Sequence, residues 1–343
     1  MEYGAIDLHK RRSQIRLLDE AGQIVLDTRI ETTRGALDRM FAGRAHVRLL
    51  VESSTESEWV AQHLECLGHE VIVADPNYLP MYGTRSRRVK TDKRDAAALA
   101  EACRAGIYRR AHRVSAAARR LRQAMRIRRQ VVQMRSGAIS VLRAVLRQEG
   151  LRLASGATDS VDARVARLPL AASLAATIAP LRTVIRDLTA TLTGLDTDVT
   201  TRAQADPIAR RLMTAPGVGP VLSVTFRGVL DTPERFGGDA ARVSAYVGLV
   251  PREDSSGERR HRGHITKAGP GDLRALLVQA SWCIWRSRRS DTDALRTWVH
   301  RLAARRGRRV AVVALARRLT RILYAMWRDA QDFRARPLAG VGV

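Results

Sequence analysis

The first hundred residues switch repeatedly between strand-like and helix-like periods. Tyr3–Leu8 is a short apolar run, and Gln14–Leu18 alternates with Ile15 and Leu17 on one face. Gln23–Ile30 alternates again after the Ala21-Gly22 turn signal. The spacing predicts three strands with short connections, an antiparallel meander. Ala36–Phe41 reads as a helix, and Val47–Val51 as a buried strand ending on Glu52. Glu56–Leu67 predicts a helix stopped by Gly68. Glu70–Ala74 is a second buried strand, closed by the Asp75-Pro76 turn. A basic loop, Arg85–Lys90, leads to a helix that begins within Val89–Ala98, where Thr91 or Asp92 can cap it.

Beyond residue 113 the pattern is helical. Val114–Leu146 predicts one long helix with an apolar stripe of Leu121, Met125, Ile127, Val131, Met134, Ile139, Leu142 and Leu146. Leu151–Ser160 breaks it. A second helical stretch runs from about Asp162 to Arg202, interrupted by Pro169 and Pro180. Its Leu181, Val184, Ile185, Leu188, Leu192 and Leu195 predict an antiparallel coiled coil with the first helix, a spacer or oligomerisation arm. Ile208–Val221 reads as helix, glycine turn, helix, similar to a helix-hairpin-helix. Ser255 and Ser256 are expected to sit in a polar loop before Gly257, Asp272–Arg286 is expected to be a helix, and Val310–Leu315 and Leu319–Trp327 carry apolar positions for a packed helix.

Charge changes what this architecture is for. The chain carries a formal charge of +26, almost all of it arginine, with Lys10, Lys90, Lys93 and Lys267 as the only lysines. Such an excess calls for a polyanionic partner, nucleic acid before a membrane surface. Only Glu149 is acidic between Arg104 and Arg152, and no acid occurs from Ala294 to Arg328. Solvated helices usually mix signs, so these stretches are expected to contact phosphates. Candidate contacts are Lys90, Lys93, Arg126, Arg129, Arg259, Arg260 and Lys267, with a backbone clamp at Gly217 and Gly219. With aromatic residues at 4%, base stacking is not the expected main binding mode. No apolar run approaches a membrane span, and the N-terminus lacks a signal peptide's apolar region. Cys66, Cys103 and Cys283 are scattered without metal-type spacing, as expected for reduced thiols in the cytosol.

The acids suggest chemistry. Asp92 and Asp95, three apart at a helix start, face the same way. They serve either as hard ligands for a divalent cation or as acids favourable to the helix dipole. The element order favours the first reading, because it matches a ribonuclease H-like fold. There Asp7 sits on the first strand and Glu52 at the end of the fourth, where open sheets present ligands. Four converging carboxylates would hold two Mg²⁺ ions and could stabilise both oxygens of a phosphodiester displacement. Ser255 and Ser256, flanked by Arg252, Arg259, Arg260 and Arg262, are candidate nucleophiles, although a Ser-Ser-Gly segment is usually only a loop. Tyr246, in an apolar run, is read as core.

Together these segments resemble the DEDD insertion-sequence transposases of the IS110 family, including Piv-like DNA invertases. The N-terminal matches are AIDLHK, LLVESS, VIVADPNYL and VKTDKRDAAALA; the C-terminal ones are APGVGPV, AYVGLVPREDSSG and HITKAGPGDLRALL. The resemblance implies an α/β RuvC-like domain over 1–112 with the tetrad Asp7, Glu52, Asp92 and Asp95. It implies a coiled-coil arm over 113–205, a mostly helical transposase domain over 206–335 whose nucleophile is Ser256, and a tail over 336–343. The duplicated serine leaves Ser255 as the adjacent choice. It further implies Mg²⁺-dependent cutting and rejoining of donor and target duplexes through a 5′-phosphoserine link, guided by a bridge RNA. The active assembly would be a tetramer in which one subunit's tetrad meets another's serine, in a bacterial cytoplasm and on the nucleoid. Two other readings stay open: a RuvC-like junction nuclease that uses water, and a non-catalytic basic nucleic-acid-binding protein.

Overall fold

In the computed structural model, residues 1–83, 91–256 and 259–335 are described, without the side chains of 254–262. Contacts divide the chain into two compact units, Met1–Arg113 and Val114–Val343.

The first unit is an α/β sandwich. In chain order it has β1 (Glu2–Asp7), β2 (Arg12–Leu18), β3 (Ile24–Glu31), α1 (Arg34–Phe41), β4 (Val47–Glu52), α2 (Ser57–Cys66), β5 (Glu70–Ala74) and α3 (Asp92–Ala105). The sheet order is β3-β2-β1-β4-β5. β1, β2 and β3 pair antiparallel, while β4 runs parallel to β1 and β5 parallel to β4. One sheet face buries Ile6, Ile15, Leu49, Val51 and Val73 against Leu37, Phe41, Val60 and Leu64 of α1 and α2. The other buries Ala5, Leu50, Ile72 and Ala74 under Leu99 and Cys103 of α3. Strands covered on both sides must be apolar at successive positions, which is why β4 and β5 read as continuous apolar runs. The topology is compatible with a ribonuclease H-like domain.

The second unit begins with α4 (Ala116–Gln148), α5 (Val161–Val165) and α6 (Ala172–Ala205). Ser115 caps α4 by accepting from the Ala118 amide, and is itself held by the Asp231 carboxylate. α4 and α6 are antiparallel: Met125 clusters with Val199 and Ala203, whereas Ile139, Leu142 and Leu146 cluster with Ile178 and Ile185. The buried positions Ile178, Ile185, Leu192 and Val199 recur every seven residues, as do Ile139 and Leu146. This is the geometry of a coiled-coil seam. Two expectations are corrected here. Ile127 and Met134 are 59% and 53% exposed, so they leave the predicted stripe; the seam follows a seven-residue repeat that runs past them. Pro180 does not interrupt the second helix. α6 continues through it, because the seam on either side outweighs the roughly 3 kcal/mol that an interior proline costs.

The remainder comprises α7 (Pro207–Met213), α8 (Pro220–Leu230), α9 (Ala240–Tyr246), β6 (Pro251–Ser256), β7 (Arg259–Ile265), α10 (Gly271–Arg286), α11 (Asp293–Arg306) and α12 (Arg308–Arg328). Its core gathers Leu222, Phe226, Val243, Leu273, Leu277, Leu319 and Tyr324. The two apolar segments predicted near the C-terminus form the single helix α12. The expected polar loop around Ser255 and Ser256 is also corrected: these residues end β6 of an antiparallel hairpin, in register with Arg260 and Arg259. Backbone pairing closes the hairpin although its strands, PREDSS and RRHRGHI, show no apolar alternation.

Candidate active site

The carboxylates predicted as one cluster all lie in the first unit, on elements that share one end of the sheet. β1 and β4 are parallel, with Ile6 opposite Val51, so Asp7 and Glu52 close neighbouring strands at the same end. α3 brings the other two. Thr91 caps it by accepting from the Arg94 amide at 3.3 Å, which fixes Asp92 and Asp95 in its first turn. Asp95 is only 8% exposed.

Asp7 records the convergence electrostatically. Its carboxyl is held above the ordinary aspartate range by burial in the first place. His9 opposes the rise, and the negative fields of Asp95, Asp92 and Glu52 add to it. Asp27, on β3, is the contrast. Burial acts on it too, but hydrogen bonds from Arg16 and Gln14 and the charges of Arg16 and Lys93 hold it below the usual range. One half-buried aspartate is thus supplied with cations, while the other, with His9 beside it, faces three more acids.

His9 is the residue that sequence reasoning missed. Its Nε2 lies 3.4 Å from Asp7 Oδ2 and 3.4 Å from Asp92 Oδ1. Asp7, His9 and Asp92 each offer a ligand atom within 4.8 Å of the others. The loop holding His9 is tied from behind. Its amide donates to Ser13 Oγ, its carbonyl accepts from Thr32 Oγ1 at 2.7 Å, and the two hydroxyls meet at 2.7 Å. The one available signal was AIDLHK itself, with a histidine two residues after the aspartate. Arg29 contributes a cation 3.4 Å from Asp92 Oδ2.

A divalent cation suits this donor set. Hard carboxylate oxygens of Asp7 and Asp92 converge with an imidazole beside them, and Arg29 is the cation nearby.

The predicted nucleic-acid contacts are spread over both units. Lys93 is exposed, with its ammonium 3.5 Å from Asp27. Arg126 and Arg129 are exposed on α4 and line a cavity of about 710 Å³ with residues of α8 and α10; Arg129 is paired with Asp272. Gly217 has φ +76°, and a side chain there would come within 2.8 Å of the Ala280 carbonyl. Its glycine is therefore required by packing against α10 as well as by the turn. Gly219 is exposed and stands at the N-cap of α8. Lys267 is exposed, and its amide bonds the Gly248 carbonyl. Lys90 lies outside the described residues, as do the side chains of Arg259, Arg260, Ser255 and Ser256. Tyr246 packs its ring against Phe236 at 5.5 Å, in keeping with a core role.

An α/β unit with acids gathered at its strand ends, followed by a basic helical unit, defines a nucleic-acid-processing enzyme. Residues 5–150 match the DEDD transposase family model of the IS110 type, and residues 209–296 match the model described as Transposase IS116/IS110/IS902 family. The chain is 26% identical over 327 residues to a probable family 20 transposase of Pseudomonas aeruginosa, covering 94% of this chain and 95% of that one. It is 25% identical over 338 residues to the transposase for insertion sequence element IS1111A of Coxiella burnetii, covering 96% and 90%. It is 26% identical over 329 residues to the transposase for insertion sequence element IS1328 of Yersinia enterocolitica, covering 94% and 95%. The chain carries transposase domains of the IS110/IS116/IS902 type and is an insertion-sequence transposase, an enzyme that acts on DNA. The family points to divalent-metal dependence. Among the described residues no helix is long and apolar enough to cross a membrane.

Proposed function

We propose that this transposase cuts and rejoins DNA in a Mg²⁺-dependent reaction through a 5′-phosphoserine intermediate, with Asp7, Glu52, Asp92 and Asp95 as the metal site and Ser256 as the nucleophile. The observation that carries the metal site is the burial of Asp7 among three like-charged carboxylates with an imidazole beside it. Two Mg²⁺ ions bound there would supply Lewis acidity to the phosphate oxygens. The remaining chemistry belongs to the chain. The Ser256 hydroxyl gives up its proton and its Oγ forms a bond to phosphorus. The bond from phosphorus to the 3′ oxygen breaks, and that oxygen leaves as a hydroxyl. Attack by the 3′ hydroxyl of another strand reverses the step, rejoins DNA and frees the serine. The flanking arginines of the hairpin, Arg259 and Arg260, are placed in sequence to meet phosphate charge.

His9 orders the metal-binding acids, because its ring stands between Asp7 and Asp92 and its backbone is anchored by Ser13 and Thr32. His9→Ala is expected to slow cleavage of an end-labelled donor duplex by roughly tenfold to a hundredfold, the range seen when a metal site loses a partner of its ligands. An unchanged rate would remove His9 from the site.

Sequence choice is assigned to a bridge-type guide RNA, and the active form to a tetramer. The support is the family resemblance together with long basic helices that carry no evident base-reading motif. Protein treated with RNase and supplied with donor and target DNA is expected to give no site-specific product. Specific recombination by that preparation would contradict the guide.

A further inference from the structure

We propose that one face of α10, with Arg308 at the start of α12, binds an unpaired nucleobase of single-stranded nucleic acid. Gln279, Trp282, Cys283 and Arg286 follow the i, i+3, i+4, i+7 spacing of one helix stripe, and with Arg308 they line a cleft of about 580 Å³. The rings of Trp282 and Trp285 meet edge to face with centroids 6.0 Å apart. Trp285 in turn lies against His300, with centroids at 4.0 Å and planes 36° apart. The Arg308 guanidinium sits 4.7 Å from the Trp282 ring and 5.3 Å from the Trp285 ring. Both tryptophans are partly exposed, and Cys283, Arg286 and Arg308 are exposed. A chain with only five tryptophans and four phenylalanines has placed two tryptophans together at its surface.

The surroundings select the occupant. Arg305, Arg306 and Arg309 are exposed and lie close to Arg308 along the chain, and no acid occurs in the sequence from Ala294 to Arg328. A second copy of this face would bring like charge against like charge. An apolar peptide would offer the guanidinium groups no negative charge. A nucleotide matches each group: a base to stack on Trp282, a base edge for the Gln279 amide, and phosphates for Arg286 and Arg308. A duplex hides its base faces by stacking, so it could satisfy only the arginines. The proposal deepens the reading of the chain as a nucleic-acid enzyme and is independent of the carboxylate chemistry.

The test uses the full-length protein without divalent cation and fluorescent DNA and RNA single strands of about twelve nucleotides, within the usual span of such sites. A duplex of the same length serves beside them. Trp282→Ala is expected to weaken single-strand binding roughly tenfold or more while leaving duplex binding unchanged, and Trp282→Phe to retain most of the affinity. Arg308→Gln, which leaves the tryptophans in place, is expected to weaken single-strand binding as well. The tighter of the DNA and RNA strands identifies which one occupies the cleft. Equal losses on single strand and duplex, or no loss for either Trp282→Ala or Arg308→Gln, would overturn the proposal. Absence of duplex binding by the unaltered protein would instead count against the nucleic-acid reading itself.

Discussion

Asp7→Asn is expected to abolish strand cleavage while leaving DNA binding intact. The amide keeps the size of the side chain but offers no charge to a cation. Loss of a mere partner to a metal ligand typically costs tenfold to a hundredfold, so loss of a ligand is expected to cost more than about a hundredfold. Phosphate contacts on the basic helices do not depend on this residue. The same substitution carries a second, opposite effect. Asp7 is raised above its ordinary range by burial and by Asp95, Asp92 and Glu52, so the folded state holds its proton more tightly than the unfolded state does. A group raised in this way makes stability fall as pH climbs past its unfolded value. Without metal at neutral pH, the Asp7→Asn protein should therefore melt at a higher temperature than the natural one. That advantage should shrink in acid, where Asp7 is protonated in both states. Parallel thermal melts across pH check this. A variant that is less stable at neutral pH would show that Asp7 is satisfied by partners other than a cation.

Ser256→Ala should remove the covalent protein–DNA adduct and the rejoined product together. A nucleophile has no substitute in a covalent mechanism, and its loss is expected to lower the rate by roughly three orders of magnitude or more. Incubation with end-labelled donor and target DNA, denaturation and inspection for label on the protein provide the readout. Loss of the adduct in Ser255→Ala but not in Ser256→Ala would move the nucleophile by one residue along β6. Cleavage that persists in both variants, with no adduct, would identify a nuclease that uses water and leave the serines to the hairpin's structure.

Much of the first unit was legible because its physics is local. β4 and β5 are covered on both faces and so read as largely apolar runs, whereas β2 buries nearly every position, Ser13 and Gln14 included, and β3 exposes Ile24 and Val25, so the alternation read there is not kept. Thr91 announced the start of α3, and two acids three residues apart could only face one way. What stayed hidden depends on approach between distant segments. His9 lies past the end of β1, and its place beside Asp92 is set by Ser13 and Thr32, which the sequence does not connect to it. Pro180 carries the usual signal of a helix break, and only the seam against α4 shows why it is tolerated. The hairpin of β6 and β7 was invisible to periodicity, since charged and polar residues occupy both of its strands. The aromatic cleft was masked by composition. A low total says nothing about Trp282 and Trp285 being brought to His300 and Arg308 from three different helices.

If the carboxylates at the strand ends form a cation site, direct titration will show it most simply. Calorimetric titration of the DNA-free protein with Mn²⁺, a cation for which carboxylate oxygens are suitable ligands, should show saturable binding. It should be lost in Asp7→Asn and retained in Asp187→Asn, which removes an exposed acid on α6. Equal binding by the natural protein and Asp7→Asn would contradict the account, because the cation would then sit elsewhere and the four acids would be a cluster without a metal.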